Sequence, residues 1–235
     1  MQCVFAFQSV LVVRARSIHL FPMPVLKKID AENPPPTIGA LARHTFGWVD
    51  GISVSLTPNL NPFDGNQCVS HDPVCILIRA ETDDPWAQEQ HNLRFFVLEP
   101  NPDYSSLPDS AEDSPYLFPP VLRAKVTSIH GSLRCADIKL QPNGTAVWVH
   151  PRHRTEGLAP IEYWILGQNG NTDERLLAAV FPRRFDTLAG SGQLEVAAKT
   201  LYTNKPNDWV CLDYREDTGQ VAVGSNSGSV TVLYL

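Results

Sequence analysis

Trp209-Val-Cys-Leu-Asp-Tyr214, Arg215-Glu-Asp-Thr-Gly219, Gln220-Val-Ala-Val-Gly224, Asn226-Ser-Gly228 and Ser229-Val-Thr-Val-Leu-Tyr-Leu235 follow one another at the end of the chain. Apolar residues alternate with polar ones at a period of two, which is the spacing of a half-buried strand and not of a helix. The intervening pieces are short and polar, and Gly219 and Gly228 can take the positive φ that a tight hairpin needs. Connections this short join only antiparallel neighbours. The segment therefore reads as a three-stranded antiparallel meander.

The same grammar recurs upstream. Ala136–Leu140, the turn Gln141-Pro-Asn-Gly144 and Thr145–His150 read as strand, turn, strand. Ser9–Arg14 and Ser17–Phe21 form a further hairpin, and Gly51–Leu56, Val74–Arg79 and Leu93–Leu98 are further strands. Polar, Pro-rich loops separate them at 33–36, 57–73, 100–115 and 151–160. A short helical turn is expected at 84–90, where Asp84 precedes Pro85 in the manner of a cap followed by the first helical residue. The stretch 172–181 suits a helical turn or a strand, and the pattern does not choose between them.

Composition agrees with a β-rich domain. The 235 residues include 20 Pro, about one in twelve against ~5 % on average, and they recur through the chain, which excludes a helical bundle. Hydrophobic residues make up 43 %, enough to bury a core. The formal charge of -6 argues against a protein that coats nucleic-acid phosphates. Cys3, Cys68, Cys75, Cys135 and Cys211 contain no C-x-x-C pair, so neither a zinc finger nor a disulfide framework is indicated. The apolar opening run Cys3–Val13 lacks a preceding basic residue and is followed by Arg14 and Arg16, so it reads as strand and not as a signal peptide. At about eleven residues it is too short to span a bilayer. A chain without membrane or secretory features is expected to be intracellular, cytoplasmic or nuclear.

Short strands joined by hairpins suit a sandwich, a barrel or a propeller, and repetition favours the last. Strand groups start near Val49, Leu133 and Trp209, about 84 and about 76 residues apart, so loops must be inserted into blades that otherwise take about 40 to 45 residues. The expected fold is all-β, a partial WD-like β-propeller of about three and a half to four antiparallel blades. These fall at approximately 1–45, 46–125, 126–204 and 205–235 of a single region. Both ends then fall inside a blade. The expectation is one portion of a larger ring, a truncated product, or a protomer needing a partner's strand, because uncovered edge strands invite pairing.

Gly219, Gly224, Ser225, Gly228, Val230 and Val232 match the positions of a WD repeat, although Leu233-Tyr234 stands where the Trp-Asp dipeptide belongs and the Gly-His signature is missing. On this segment, and on Ala15–Leu20, Ala42–Gly51, Leu133–Lys139, Ala146–Pro151 and Asp208–Tyr214, the chain resembles the C-terminal WD-repeat-like propeller region of fungal F-box proteins. The resemblance implies a substrate-binding propeller of a ubiquitin ligase subunit. In that family the ligase adaptor is bound through an upstream F-box, and no such helical motif stands in these 235 residues.

The chemistry-bearing residues point to binding. Arg14, Arg16, Arg152 and Arg154 could read an acidic or phosphorylated peptide, since guanidinium pairs bidentately with carboxylate and phosphate. His153 belongs to the same loop, and Trp86 in a polar insertion is a candidate aromatic anchor. His150-Pro-Arg-His153 offers two imidazoles, but Pro151 and the interleaved cations make metal ligation awkward. Asn143-Gly-Thr145 reads as a hairpin turn before it reads as a glycosylation site. Gly224-Ser-Asn-Ser-Gly228 has Asn where a nucleophile would stand and lies in a hairpin, unlike a nucleophile elbow. Trp48, Trp148, Trp164 and Trp209 are expected to pack between blades. No catalytic residue, metal or cofactor is indicated. The reading is a protein- or peptide-binding scaffold without catalysis. The competing reading is a propeller hydrolase, for which Asp50, Asp137 and Asp213 on the inner strands would have to converge on the axis.

Overall fold

The computed structural model describes residues 2–14, 16–24, 37–47, 49–56, 72–80, 92–104, 114–127, 131–132, 135–150, 152–153, 174–182, 194–204 and 208–235. Every regular element among them is a strand, so the chain is all-β. Sheet I is formed by β1 (Gln2–Ala6), β2 (Ser9–Val13), β3 (Ser17–Pro22) and β4 (Ala42–Thr45), in that order. Sheet II runs β5 (Val49–Leu56), β6 (Val74–Ala80), β7 (Asn92–Leu98) and β8 (Val121–Thr127). The short β9 (Gly131–Ser132) is set aside from both. Sheet III runs β10 (Ile138–Leu140), β11 (Thr145–His150), β13 (Glu174–Val180) and β15 (Lys199–Asn204), while β12 (Arg152–His153) pairs with β9. The two-residue β14 (Leu194–Glu195) leaves this part of the chain and pairs in parallel with β8, adding a fifth strand to sheet II. Sheet IV is the meander β16 (Trp209–Arg215), β17 (Gln220–Ser225) and β18 (Val230–Tyr234). All four main ladders are antiparallel apart from the β14 pair, and none of the sheets closes on itself.

Period-two patterning explains how the sheets stack. In β2 and β3, Leu11, Val13, Ile18 and Leu20 fall on one face, and they bury against Val54, Val74, Ile76, Ile78, Phe96 and Leu98 of sheet II. The uninterrupted apolar run of β6 is buried on both sides: Cys75 and Leu77 turn the other way, joining Leu93, Phe95 and Val97 against Ile138, Leu140, Trp148, Leu177 and Phe181. Sheet III in turn offers Val147, Val149 and Leu176 to Trp209, Leu212, Tyr214, Val221 and Val223 of sheet IV. Three apolar seams thus join four sheets in chain order. The sheets approach each other through their first strands, with β1 against β5, β5 against β10 and β10 against β16.

Several local expectations are met. Gly219 and Gly228 have φ of 63° and 82° in the two turns of the meander, and Gln141 to Gly144 turns β10 into β11 with a Gly144 N–H to Gln141 carbonyl bond of 2.9 Å. The undecided stretch contains a strand, β13, because its alternate residues Leu176 and Leu177/Ala179 serve two different seams. Trp148 and Trp209 lie in seams; Trp48 and Trp164 lie outside the described residues, as does the expected helical turn at 84–90. The opening run Cys3–Val13 is not one strand. It folds at Phe7–Gln8, with Gln8 at φ 50°, into the hairpin β1–β2. β4, β8 and β15 were not legible as strands, for they lack a clean apolar alternation: β4 and β15 are outer strands with exposed Arg43 and Lys199, and β8, between β7 and β14, carries the half-buried Arg123 and Lys125.

Candidate functional site

Where β1, β5 and β10 converge, a cleft of about 380 Å3 opens between sheets I, II and III, lined among others by Gln2, Arg14, Gly51, Ser53, Asp137 and Lys139. Its walls are held by polar bonds between sheets. The Ser53 hydroxyl, buried in β5, accepts the Leu140 N–H of β10 at 2.9 Å. At Gly51 the two sheets come so close that a Cβ would stand 2.6 Å from the Ala136 carbonyl oxygen. Across the next seam, Asp137 Oδ2 accepts the Leu212 N–H at 3.0 Å, Gln141 Nε2 donates to the Tyr214 carbonyl at 2.9 Å, and Asn143 N–H donates to Glu216 at 3.0 Å. Glu174, itself buried, accepts the Trp209 N–H at 3.1 Å.

These bonds dispose of the charges in the cleft. The Asp137 carboxylate is turned toward a backbone donor of sheet IV, and Lys139 pairs with Asp213 at 3.2 Å. Asp137 thus serves the seam between sheets III and IV and the exposed Asp213 is met by Lys139 from the neighbouring sheet, while Asp50 lies in β5 with a side chain outside the described residues. Among the described residues no group of three or more His, Cys, Asp or Glu is placed to hold a metal ion. Arg14 is exposed at the cleft, directly after β2, where its backbone N–H donates to Ser17 at 2.8 Å and closes the β2–β3 turn. Arg16 is exposed in the same turn but does not line the cleft; its carbonyl accepts the Phe46 N–H. Arg152 and His153 form β12, paired with Ser132 and Gly131; their side chains, Arg154 and Trp86 lie outside the described residues. Of the candidate binding residues the structure therefore sets Arg14 at the cleft, with Arg16 beside it. Lys139 and Ser53 were not singled out from sequence, because only the stacking of β5 on β10 brings them to Arg14.

A second, apolar cleft of about 470 Å3 lies toward the outer edge of sheets II and III, under the crossing from β14 to β15, lined by Ala178, Val180, Leu194, Val196 and Leu201 among others. Comparisons with family models, curated proteins and solved structures return no match for this chain. Among the described residues no helix is long and apolar enough to cross a membrane.

Burial sets the acid–base behaviour of the seams. Burial pushes the Cys135 thiol, within the seam of sheets III and IV, from about 9 up to about 11. Burial also raises the Tyr116 phenol, with the Asp72 carboxylate adding to it, and raises the Tyr214 phenol beside Glu216. All three are neutral in the fold and ionise more readily once unfolded, so the stability they contribute is complete below their ordinary values and drains away as pH rises through the raised ones. Denaturant midpoints should hold near pH 8 and fall between pH 9 and 11, with Cys135 alone accounting for about 2 kcal/mol. Cys135→Ala should flatten the first part of that decline. A midpoint independent of pH over this range would contradict the buried thiol.

Proposed function

We propose that the four stacked sheets are consecutive blades of a WD-like β-propeller, about three and a half to four blades in this chain, and that they form a protein- or peptide-binding scaffold without catalysis. The observation that carries this reading is the meeting of first strands, β1 to β5 to β10 to β16, at one edge of the stack. Strands that converge on one edge while apolar faces fill the seams are what blades around an axis require. Such a scaffold binds through the loops and strand edges it holds in place. The cleft at that edge is the docking site, and Arg14 is its cation for an acidic or phosphorylated side chain, with Lys139 turned to Asp213 on the neighbouring wall. Following the resemblance to fungal F-box proteins, the scaffold acts as the substrate-binding portion of a ubiquitin ligase subunit in the cytoplasm or nucleus.

An array of acidic and phosphorylated peptides, read by fluorescence anisotropy, tests the binding. Arg14→Glu should weaken the best peptide about tenfold or more, the scale of one lost charge-assisted pair, whereas Arg215→Glu, on the far sheet, should leave it unchanged. Affinity capture followed by mass spectrometry tests the ligase assignment: recovery of an adaptor and a cullin supports it, and a single unrelated partner favours a general scaffold. If no acidic or phosphorylated peptide binds more tightly than its neutral counterpart, the cleft is not an acidic-peptide site.

A further inference from the structure

Sheets II and III are covered on both faces, but among the described residues sheets I and IV are covered on one face only. In sheet IV, Leu212, Tyr214, Val221 and Val223 point into the seam with sheet III. The cross-strand sets Asp213–Ala222–Val232 and Gly224–Val230 therefore point the other way. There Val230, Val232 and Tyr234 are 68 %, 48 % and 74 % exposed. Cys211 shares this face, since it pairs with Gly224 and its Sγ lies 2.5 Å from where a Gly224 Cβ would stand. In sheet I, Val4, Ala6, Leu11 and Val13 face the seam with sheet II, which leaves Cys3–Val12–His19–Arg43 and Phe5–Val10–Phe21 on the outer side. Phe5 is 69 % exposed.

We propose that sheet IV of one copy of this chain seats on sheet I of a second copy, head to tail, through these two faces. Each seam within the chain joins the trailing side of one sheet to the leading side of the next, with their first strands in contact. The two bare faces are the unmatched trailing side of sheet IV and the unmatched leading side of sheet I, so joining them repeats the geometry of the three seams already present. Contact between two copies of the same face would not.

Charge favours the same pairing. The described residues of sheet I and its turns contain Arg14, Arg16 and Arg43 and no carboxylate, a formal +3. Residues 208–235 contain Asp208, Asp213, Glu216 and Asp217 against Arg215, a formal -3. These are net charges of the two end sheets and not of the bare faces alone; unlike charges steer such ends together and like charges hold identical ones apart. The contact is heterologous, so two seams close two copies into one ring and a single seam extends an open row.

First strands meet in every seam, so this contact sets β16 of one copy against β1 of the next, with Cys211 and Cys3 on the facing sides. Oxidation of a Cys68→Ser chain by copper phenanthroline, in which Cys75 and Cys135 are buried, should yield a covalent species linked Cys3 to Cys211 in peptide mapping. It should be lost in Cys3→Ser and in Cys211→Ser alike. Light scattering should show masses above one 26.0 kDa chain, reduced to one chain by Val232→Glu on one face or by Phe5→Glu on the other, with the circular dichroism melt retained by at least one of them. A charge inserted into a dry seam should weaken association about tenfold or more. A single-chain mass up to about 100 μM, far above the Kd of a standard interface, would overturn the proposal. So would links formed only between identical cysteines, which place like faces together.

Discussion

Trp148→Ala is expected to lower unfolding stability by about 3–5 kcal/mol, the cost of emptying a large buried aromatic site. Trp148 is fully buried on β11 and packs in the seam of sheets II and III with Leu77, Phe95 and Phe181. Phe95 and Phe181 stack at 4.9 Å within the same cluster, and two rings from opposite sheets leave little room for collapse around a cavity. Trp148→Phe separates volume from polarity. The indole Nε1 is buried with no acceptor among the described residues, so Phe removes a polar group that gains nothing from burial while keeping most of the ring. Its cost should be less than half that of Ala. Urea or guanidinium titrations of the three proteins decide the matter, and equal losses from Ala and Phe would show that the seam does not depend on ring volume.

Gly51→Val should cost about 3 kcal/mol, at the upper end for overpacking. The obstacle is backbone: a Cβ at residue 51 would meet the Ala136 carbonyl oxygen at 2.6 Å, and no rotamer change relieves that. To make room, β5 must move away from residues 136–140, which lengthens the Ser53 to Leu140 bond and widens the cleft that Arg14 lines. The same variant should therefore lose peptide binding as well as stability. Gly39→Ala is the matched control, because a Cβ there meets nothing within 4 Å, and its effect should stay within about 0.5 kcal/mol. Equal stabilities for the two variants would contradict the close approach of sheets II and III.

Strands with one buried and one solvated face were legible from the sequence, since alternation and turn glycines act locally. The meander from Trp209 shows this, as do the turns at Gly144, Gly219 and Gly228, while Thr145–His150, buried on both faces, was legible from its β-branched and aromatic run after a turn glycine. Edge strands were not, because β4 and β15 have little apolar side to display. The break at Phe7–Gln8 was hidden for a different reason. Gln8 takes a positive φ without being Gly or Asn, so nothing in the residue type announces the turn. At the cleft, Arg14 could be named in advance as a surface cation. The partners around it come from β5 and β10, distant in sequence, and only packing assembles them. Asp137 and Asp213 illustrate the converse: three inner-strand carboxylates invited an axial reading, whereas Asp137 caps a backbone N–H of the next sheet and Asp213 meets Lys139.

The excursion of β14 ties two sheets together in a way the seams alone do not. Residues 194–195 pair with Ala124 and Lys125 of sheet II, Val196 N–H bonds to the Lys125 carbonyl, and from residue 199 the backbone belongs to sheet III. The five residues 194–198 thus act as a clasp on the side of the stack away from the first strands, so sheets II and III cannot hinge apart without first unfastening it. They should melt as one cooperative unit, whereas within a single copy, and among the described residues, sheets I and IV are each anchored along one flank only.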